Sequence, residues 1–257
     1  MLTNDIFSQI ILGIVSIVSN FISALSGGGA GLIQLPALLL FGLPFSKALA
    51  THKVASVALG LGASIPHLQS NTLKSKYVFL ILISGIPGVL IGAYAASILP
   101  SDFSSTLLGF LTLFICFYSI NNKRLGDSNE IINTSNLRIV IGFIGLFFIA
   151  FLNGYLSSGT GLFVTIWMIT IFNLSFSVAV AYTLILVGII WNGLGALSLG
   201  LSGNIIWNYI PVLILGSFIG GYSGAKFSII KGSKLIKIVF EVVTLSVGIS
   251  LLIKAYI

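Results

Sequence analysis

Long apolar stretches separated by short polar connections occupy nearly the whole chain. The apolar runs cover about residues 6–26, 30–45, 47–67, 77–99, 104–120, 137–156, 160–174, 176–200, 206–228 and 235–256. Most of them approach the roughly 20 residues that a helix needs to cross a bilayer. Runs of this length lack the alternation of polar and apolar residues that a membrane β-barrel shows. The pattern therefore predicts an all-α, polytopic transmembrane helical protein.

The chain also contains one unusual segment twice. FISALSGGGAGL (residues 21–32) and FLNGYLSSGTGL (residues 151–162) are 130 positions apart, and they share Phe, two Gly and Leu at equivalent places. At offsets of 131 and 132 the correspondence continues through Ala48/Ala179 and Gly88/Gly220. Two apolar halves, each interrupted by small residues, are typical of secondary transporters and channels.

This repetition predicts the domain organisation. We expect a single transmembrane domain over residues 1–257, which consists of repeat one (about 1–121), a linker (122–136) and repeat two (about 137–257). Basic residues gather after the third, fifth and ninth runs, and these connections share one side of the membrane if every run crosses once. Each half then has an odd number of crossings, which makes the repeats inverted.

The runs that follow the two Gly-rich segments directly, 30–45 and 160–174, are shorter than the others. We expect each to be a short or broken helix. Whether these two runs cross the membrane completely, which decides between eight and ten spans, stays open at this point.

The composition indicates that lipid surrounds the protein, and it argues against several functional classes. Hydrophobic residues make up 57% of the chain and charged residues 7%, so most of the surface has to face lipid. The net charge of +7 is scattered over connections, where it orients helices, and does not indicate nucleic-acid binding. The lone Cys116 offers neither a disulfide framework nor a paired-thiol metal site. We expect no metal and no cofactor.

An enzyme is also not expected. A membrane-embedded enzyme needs a nucleophile–base pair or a metal cluster. The sequence has two histidines 15 positions apart, His52 and His67, and no intramembrane aspartate to complete a dyad. We therefore predict no catalytic residues and keep a membrane enzyme as a remote alternative.

The Gly-rich segments are where a binding site is expected. Irregular backbone at membrane depth is tolerated only where it is buried in protein or lines a water-filled cavity. A helix that begins at such a break offers unpaired N–H groups and the positive end of its dipole to an anion. Close helix packing through small residues is the other explanation, but equivalent positions in both halves favour a site. The candidates are Gly28, Gly29, Ala30, Gly31, Ser157, Ser158, Gly159, Thr160 and Gly161.

Polar residues near these breaks form a second group of candidates. Thr51, His52 and Lys53 follow one another inside an apolar run, and a cation within a membrane segment is expensive and usually functional. Lys53 can alternatively lie near the interface and extend its ammonium group to water. His52 is a candidate proton carrier. The remaining candidates for substrate binding are Gln34, Asn153, Thr183 and Asn192.

The order of three segments carries a resemblance to a known family. SALSGGGAGL, GLPFSKALATHKVASV and SGIPGVLIGAYAAS, repeated in weaker form in the second half, resemble the sulfite exporter TauE/SafE family of membrane permeases. The resemblance extends over essentially the whole chain. It implies a multi-pass permease of the plasma (inner) membrane that carries a small inorganic or organosulfur oxyanion, most of all sulfite or a sulfonate.

Two departures from the family pattern concern the expected pocket. His52 stands where Asn or Ser is common in the family, which bears on the substrate and on proton coupling. Ser157 and Ser158 stand where glycines are typical, which makes this side of the pocket more polar. The specific anion therefore stays open.

The expected mechanism is alternating access. The anion binds near the bilayer midplane to backbone N–H groups of both breaks and to the hydroxyls of Ser157, Ser158 and Thr160, while Lys53 or a protonated His52 balances its charge. The expected partners are a small anion, the lipid bilayer and protons as a coupling ion. A homodimer and the direction of transport stay open. A channel-like anion pathway is the alternative function.

Overall fold

The computed structural model describes residues 6–69, 73–96, 101–122 and 135–256, and these ranges are almost wholly helical. The α-helices are α1 (Ile6–Ser26), α2 (Gln34–Leu40), α3 (Phe45–Gln69), α4 (Ser75–Ala95), α5 (Ser101–Asn121), α6 (Asn136–Leu156), α7 (Thr160–Phe172), α8 (Phe176–Tyr182), α9 (Asn192–Leu201) and α10 (Ile210–Tyr256). Two 3₁₀ turns, Ala30–Leu32 and Trp207–Tyr209, precede α2 and α10. A π-helical segment, Thr183–Trp191, joins α8 to α9. The all-α prediction is confirmed, because the described ranges contain no strand.

Several helices are able to cross a membrane. Within the described ranges five helices are long and apolar enough, namely Ile6–Ser26, Phe45–Leu68, Ser75–Ala95, Asn136–Leu156 and Phe176–Leu201. The stretches Ala30–Leu40 and Thr160–Phe172 are apolar but shorter, so short helices do follow both Gly-rich breaks. The protein is therefore a polytopic helical membrane protein. The inverted relation of the halves stays a prediction, and the predicted linker 122–136 lies almost wholly outside the described residues.

The last two apolar runs of the sequence form one long helical stretch. α10 covers Ile210–Tyr256 and loses helical geometry at Gly232, where φ is 75° and ψ is 180°. Glycine has no Cβ, so it accepts a positive φ without the steric cost that other residues meet. The break therefore divides the stretch at the boundary between the two predicted runs.

Glycines bring two pairs of helices into backbone contact. α4 packs along α6, and a Cβ on Gly92 would lie 2.0 Å from the carbonyl oxygen of Phe151. α1 packs along the first part of α10, and a Cβ on Gly224 would lie 2.4 Å from the carbonyl oxygen of Phe21. Small residues allow this close approach of membrane helices. The two contacts involve residues that correspond in the sequence repeat.

The central helix of the bundle is α3. The apolar window of Phe45–Leu68 is 72% buried, a larger share than in the other four candidate spans. By contrast, Ile6, Phe79 and Phe148 on α1, α4 and α6 are each more than half exposed, as suits side chains that face lipid. α3 contacts the π-helical segment, α9 and α10. The polar residues of α3 that lie inside the protein include Thr51, His52, Lys53 and Ser56.

Candidate functional site

The two Gly-rich breaks contact each other. A Cβ on Gly28 would lie 2.6 Å from the carbonyl carbon of Gly161, so this contact leaves no room for a side chain. On the other side of the junction, Ser158 donates its hydroxyl to the carbonyl oxygen of Gly31 at 3.0 Å. Gly28 corresponds to Ser158, and Gly31 to Gly161, at the repeat offset of 130. The contact is therefore reciprocal between the halves.

The glycines that precede the helical segments after each break pack in the same reciprocal way. Gly29 has a φ of 101° and precedes the 3₁₀ turn; Gly159 has a φ of 75° and precedes α7. A Cβ on Gly29 would meet Leu162 at 3.5 Å, and a Cβ on Gly159 would meet Leu32 at 3.3 Å. Both glycines are in the left-handed region, which residues with a Cβ disfavour. The sequence therefore needs glycine here for conformation as well as for space.

A cavity lies beside this junction. Its volume is about 30 Å³, which corresponds to about two water molecules. The walls come from both breaks, from α3 and from the π-helical segment. The lining residues are Ser23, Gly28, Gly29, Ala30, Gly31, His52, Ser56, Leu59, Asn153, Ser157, Gly161, Thr183, Leu184, Val187, Gly188 and Asn192.

Lys53 lies behind one wall of the cavity and is completely buried. Its Nζ donates to the carbonyl oxygen of Asn153 at 2.8 Å, to Asn153 Oδ1 at 3.2 Å and to Asn192 Oδ1 at 3.4 Å. All three acceptors are neutral. Of the chain's five acidic residues, the structure describes the side chain of Glu241, which contacts Lys237 and Ser119. Lys53 therefore has no carboxylate partner among the described side chains and does not extend to the interface.

Asn153 connects Lys53 to the second break. Its Nδ2 donates to Thr160 Oγ1 at 2.8 Å, and the Thr160 hydroxyl in turn donates to the carbonyl oxygen of Ser157 at 2.9 Å. Both polar ends of the Asn153 side chain are thus engaged. This wall of the cavity is held rigidly by hydrogen bonds between α3, α6 and the start of α7.

His52 belongs to a second hydrogen-bonded group, on the side of the first break. Its Nδ1 lies 2.8 Å from Gln34 Oε1, and its Nε2 lies 3.2 Å from Ser56 Oγ. Gln34 Nε2 donates to Ser16 Oγ at 3.0 Å. Four polar residues from α1, α2 and α3 are therefore joined in a buried chain.

The second half contains the counterpart of the bond between His52 and Gln34. Thr165 Oγ1 lies 2.9 Å from Thr183 Oγ1, and these residues correspond to Gln34 and His52 at an offset of 131. Thr165 also donates to the carbonyl oxygen of Gly27 at 2.8 Å, which ties the second half to the first break. The scaffold thus repeats, but the titratable group occurs only in the first half of the pair.

Ser23 presents an unused hydroxyl to the cavity. The residue is 1% exposed, it lines the cavity, and its Oγ has no hydrogen-bond partner among the described residues. Buried polar side chains are nearly always hydrogen-bonded, so one that is not needs an explanation such as a missing ligand or water. Ser23 corresponds to Asn153 in the other half, where both ends of the side chain are bonded.

Comparison with known proteins decides the family. The family model for Sulfite exporter TauE/SafE matches residues 12–251. The chain belongs to this family. It is 31% identical over 228 residues to a probable membrane transporter protein of Haemophilus influenzae, covering 88% of each chain. It is 26% identical to the probable membrane transporter protein YfcA of Escherichia coli, covering 97% of this chain and 93% of that one. No solved structure matches the chain.

A further relative agrees with this assignment. The chain is 26% identical to the probable membrane transporter protein ORF9 of Sinorhizobium sp, covering 94% of this chain and 91% of the relative. The names of these relatives agree with the membrane-spanning helices of this TauE/SafE protein. The protein is a multi-pass membrane transporter, and the relatives are named as transporters rather than as enzymes.

Most of the candidate residues come together around the cavity of this TauE/SafE protein. Ten of them line it, namely Gly28, Gly29, Ala30, Gly31, His52, Asn153, Ser157, Gly161, Thr183 and Asn192. Gln34 and Lys53 contact lining residues from behind. Ser158, Gly159 and Thr160 lie at the junction of the breaks.

The remaining candidate, Thr51, points elsewhere. Its Oγ1 accepts a hydrogen bond from the main-chain N–H of Ile206 at 3.0 Å, which stabilises the connection between α9 and α10. The hydroxyls of Ser158 and Thr160 also bond to the main chain, because each donates to a carbonyl oxygen of the breaks. In this conformation, therefore, three hydroxyl groups considered for substrate binding stabilise the backbone.

Sequence reasoning did not select several lining residues as site candidates. Ser56 follows His52 by four positions on α3, so helical spacing places both on one face. That spacing is a signal that the sequence offers. Ser23 also lines the cavity, from the end of α1 just before the first break. The others, Leu59, Leu184, Val187 and Gly188, are apolar residues or glycine within apolar helices and give no such signal.

Proposed function

We propose that this transporter carries a small inorganic or organosulfur oxyanion, with sulfite or a sulfonate as the first candidates, and that it works by alternating access. The observation that carries the proposal is Lys53. This side chain is wholly buried at membrane depth, and its three hydrogen-bond acceptors are neutral oxygens of two asparagines.

The charge of Lys53 argues for an anionic substrate. A buried ammonium group without a counter-charge is costly, and hydrogen bonds to neutral oxygens offset only part of its lost hydration. Both asparagines that hold Lys53 line the cavity, so the cation lies one side chain behind the wall. An anion in the cavity would lower this electrostatic cost. A cationic substrate would raise it.

The neutral groups of the cavity suit an oxyanion. Ser23 offers a free hydroxyl, and Gly161 lies in the first turn of α7, where backbone N–H groups have no acceptor within the helix. α7 has 13 residues and therefore directs the positive end of a substantial helix dipole at this point. The small volume favours an inorganic oxyanion or a short sulfonate over a large organic acid.

Alternating access is favoured over a continuous channel by the junction between the halves. The breaks meet through bare glycine backbone, with hydrogen bonds such as the one from Ser158 to Gly31 across the contact. Such a surface can separate and rejoin without repacking large side chains. The same geometry supports a proton as the coupled ion, because His52 lines the cavity. The channel-like pathway remains the second candidate.

Reconstitution into liposomes tests this function. Purified protein in vesicles loaded with sulfite should show saturable efflux that external sulfite accelerates by exchange, which a channel would not show. Lys53→Met should reduce sulfite flux at least tenfold, whereas Lys76→Met, at an exposed position at the start of α4, should retain it. Equal flux in both variants, or unsaturable flux in the wild type, would contradict the proposal.

A further inference from the structure

The hydrogen bonds behind His52 have a fixed direction, which is set at the carbonyl oxygen of Leu213. A carbonyl oxygen only accepts, so the Ser16 hydroxyl at 2.9 Å donates to it. Ser16 Oγ therefore accepts from Gln34 Nε2 at 3.0 Å. This orientation of the amide turns Gln34 Oε1, also an acceptor, toward His52 Nδ1 at 2.8 Å. Consequently Nδ1 carries the proton of the imidazole.

The other ring nitrogen is then an acceptor. A neutral imidazole has one N–H, so Nε2 of His52 presents a lone pair and accepts from the Ser56 hydroxyl at 3.2 Å. Because the proton of Ser56 is used in this bond, Ser56 Oγ presents lone pairs of its own. Both residues line the cavity. This wall, which we call the His52–Ser56 wall, therefore accepts hydrogen bonds through Ser56 Oγ, because the single lone pair of His52 Nε2 is engaged by Ser56.

Other groups at the cavity donate hydrogen bonds or carry positive charge. The Ser23 hydroxyl is unpartnered and free to donate, and the main chain at Gly161 lies in the first turn of α7. Lys53, bonded to Asn153, supplies one positive charge. The cavity thus combines donors, one nearby cation and one accepting wall.

Among the described residues around His52, Lys53 is the charged one. The helices packed against α3 at this level are α1, α2, α8, the π-helical segment and α9, and none of them contains a charged residue. α10 approaches through Leu213 and Ser217, and its first charged residue is Lys226. Lys53, next to His52 on α3, is the charge that this part of the described structure contains.

We propose that the cavity selects an oxyanion that carries one acidic proton, such as hydrogensulfite, over an oxyanion of the same charge that carries none. This inference rests on the proposed function and narrows its substrate class. The protonated group of the substrate donates to Ser56 Oγ of the His52–Ser56 wall, and its unprotonated oxygens accept from Ser23 and from the start of α7. Its single negative charge matches the single cation at Lys53. An oxyanion without a proton leaves the accepting wall facing oxygen lone pairs.

Methanesulfonate is the probe that separates the two classes. It has the sulfur and three oxygens of hydrogensulfite and the same single charge, but a methyl group in place of the acidic proton. In vesicles that contain the wild-type protein, hydrogensulfite should half-saturate transport at a concentration at least about tenfold lower than methanesulfonate does, which is the usual effect of one unpaired buried polar group. Sulfite flux at fixed total concentration should also fall as pH rises through the second ionisation of sulfurous acid, while methanesulfonate flux reports titration of the protein itself.

A positioning variant tests the origin of the selectivity. Gln34→Leu removes the acceptor that holds the proton on His52 Nδ1, so the ring can move its proton to Nε2 and the wall can donate. The ratio of the two half-saturating concentrations should then fall toward one. Thr165→Val is the matched control, because it removes the corresponding bond to Thr183 in the other half without contacting His52. It should leave the ratio unchanged even if total flux declines.

The outcomes distinguish this inference from the proposed function. Transport of both anions with equal half-saturation in the wild type overturns the proton selectivity and leaves an oxyanion transporter. Transport of neither anion overturns both proposals. A wild-type preference that Gln34→Leu does not change, in protein that still elutes as a single folded species, overturns the role of the His52–Ser56 wall.

Discussion

Ser158 donates its hydroxyl to the carbonyl oxygen of Gly31 at 3.0 Å and thereby ties the second Gly-rich break to the first. The contact closes one side of a junction that Gly28 and Gly161 close on the other. In a membrane, backbone polar groups need partners within the protein. The two halves therefore satisfy each other's irregular backbone at the place where the cavity forms.

Gly28→Ala should disrupt this junction. The new Cβ would lie 2.6 Å from Gly161, and φ at this position is 137°. Gly42→Ala is the matched control, because Gly42 also has a positive φ, 82°, but nothing within 4 Å of its Cβ position. Left-handed backbone alone costs about 1–2 kcal/mol for a residue with a Cβ. Thermal unfolding in detergent should thus show a clearly larger loss for Gly28→Ala; equal losses would argue against a tight junction.

Ser23→Ala should weaken substrate binding without destabilising the protein. Ser23 Oγ has no partner among the described residues, so its removal should leave the melting temperature unchanged or higher, while the half-saturating anion concentration rises by about tenfold. Ser26→Ala gives the contrasting case, because Ser26 donates to the carbonyl oxygen of Gly28 at 2.8 Å. It should lower the melting temperature. A destabilised Ser23→Ala with unchanged half-saturation would contradict the assignment of this hydroxyl to the substrate.

Lys53 and Asn153 should be strongly coupled in a double-mutant cycle. Asn153→Leu removes one side-chain acceptor from a buried ammonium group, and a hydrogen bond to a charged group contributes about 1.5–3 kcal/mol. In a Lys53→Met background the same change removes no such bond and should cost much less. The free energy of unfolding of the four proteins measures the difference. Additive losses would show that the Asn153 side chain does not stabilise Lys53.

The equivalent glycines Gly92 and Gly224 should respond alike to valine. Each faces a carbonyl oxygen of the neighbouring helix, at 2.0 Å and 2.4 Å from the Cβ position. Gly193→Val is the control, because its Cβ position has one ordinary contact, to Val57 at 3.8 Å. Overpacking typically costs about 1–3 kcal/mol. Denaturation should show losses of similar size for the first two and a smaller loss for the third. A severe loss at only one of them would show that the two helix pairs are not equivalent.

The sequence predicts the location of the candidate site better than its chemistry. Small residues in two equivalent breaks predict an irregular backbone, and both breaks do line the cavity. The direction of each hydroxyl is not predictable from spacing, because it depends on which carbonyl group lies nearby in three dimensions. Thus Ser158 and Thr160 stabilise the breaks in this conformation, while Ser23, a less prominent residue, keeps its hydroxyl free.

The fold, too, is predictable from the sequence only in part. Apolar runs identify helices and their approximate ends, since lipid requires every backbone group to be bonded within the segment. They do not reveal that Thr183–Trp191 is π-helical, because the apolar run is continuous there and this segment packs against α3 from the other half. Lys53 could equally reach the interface by its sequence position. Its contacts with Asn153 and Asn192 from the other half show that it is buried.

The reciprocal junction of the breaks also constrains how this chain can change over time. Gly28 contacts Gly161 while their counterparts, Ser158 and Gly31, contact each other. A larger residue on one side therefore needs a compensating loss on the other, although the two positions are more than 100 residues apart. Related sequences should show correlated substitution at positions 28 and 161 and at positions 31 and 158. Where the two halves meet, we expect them to change together, although the polar groups beside that meeting point differ between the halves.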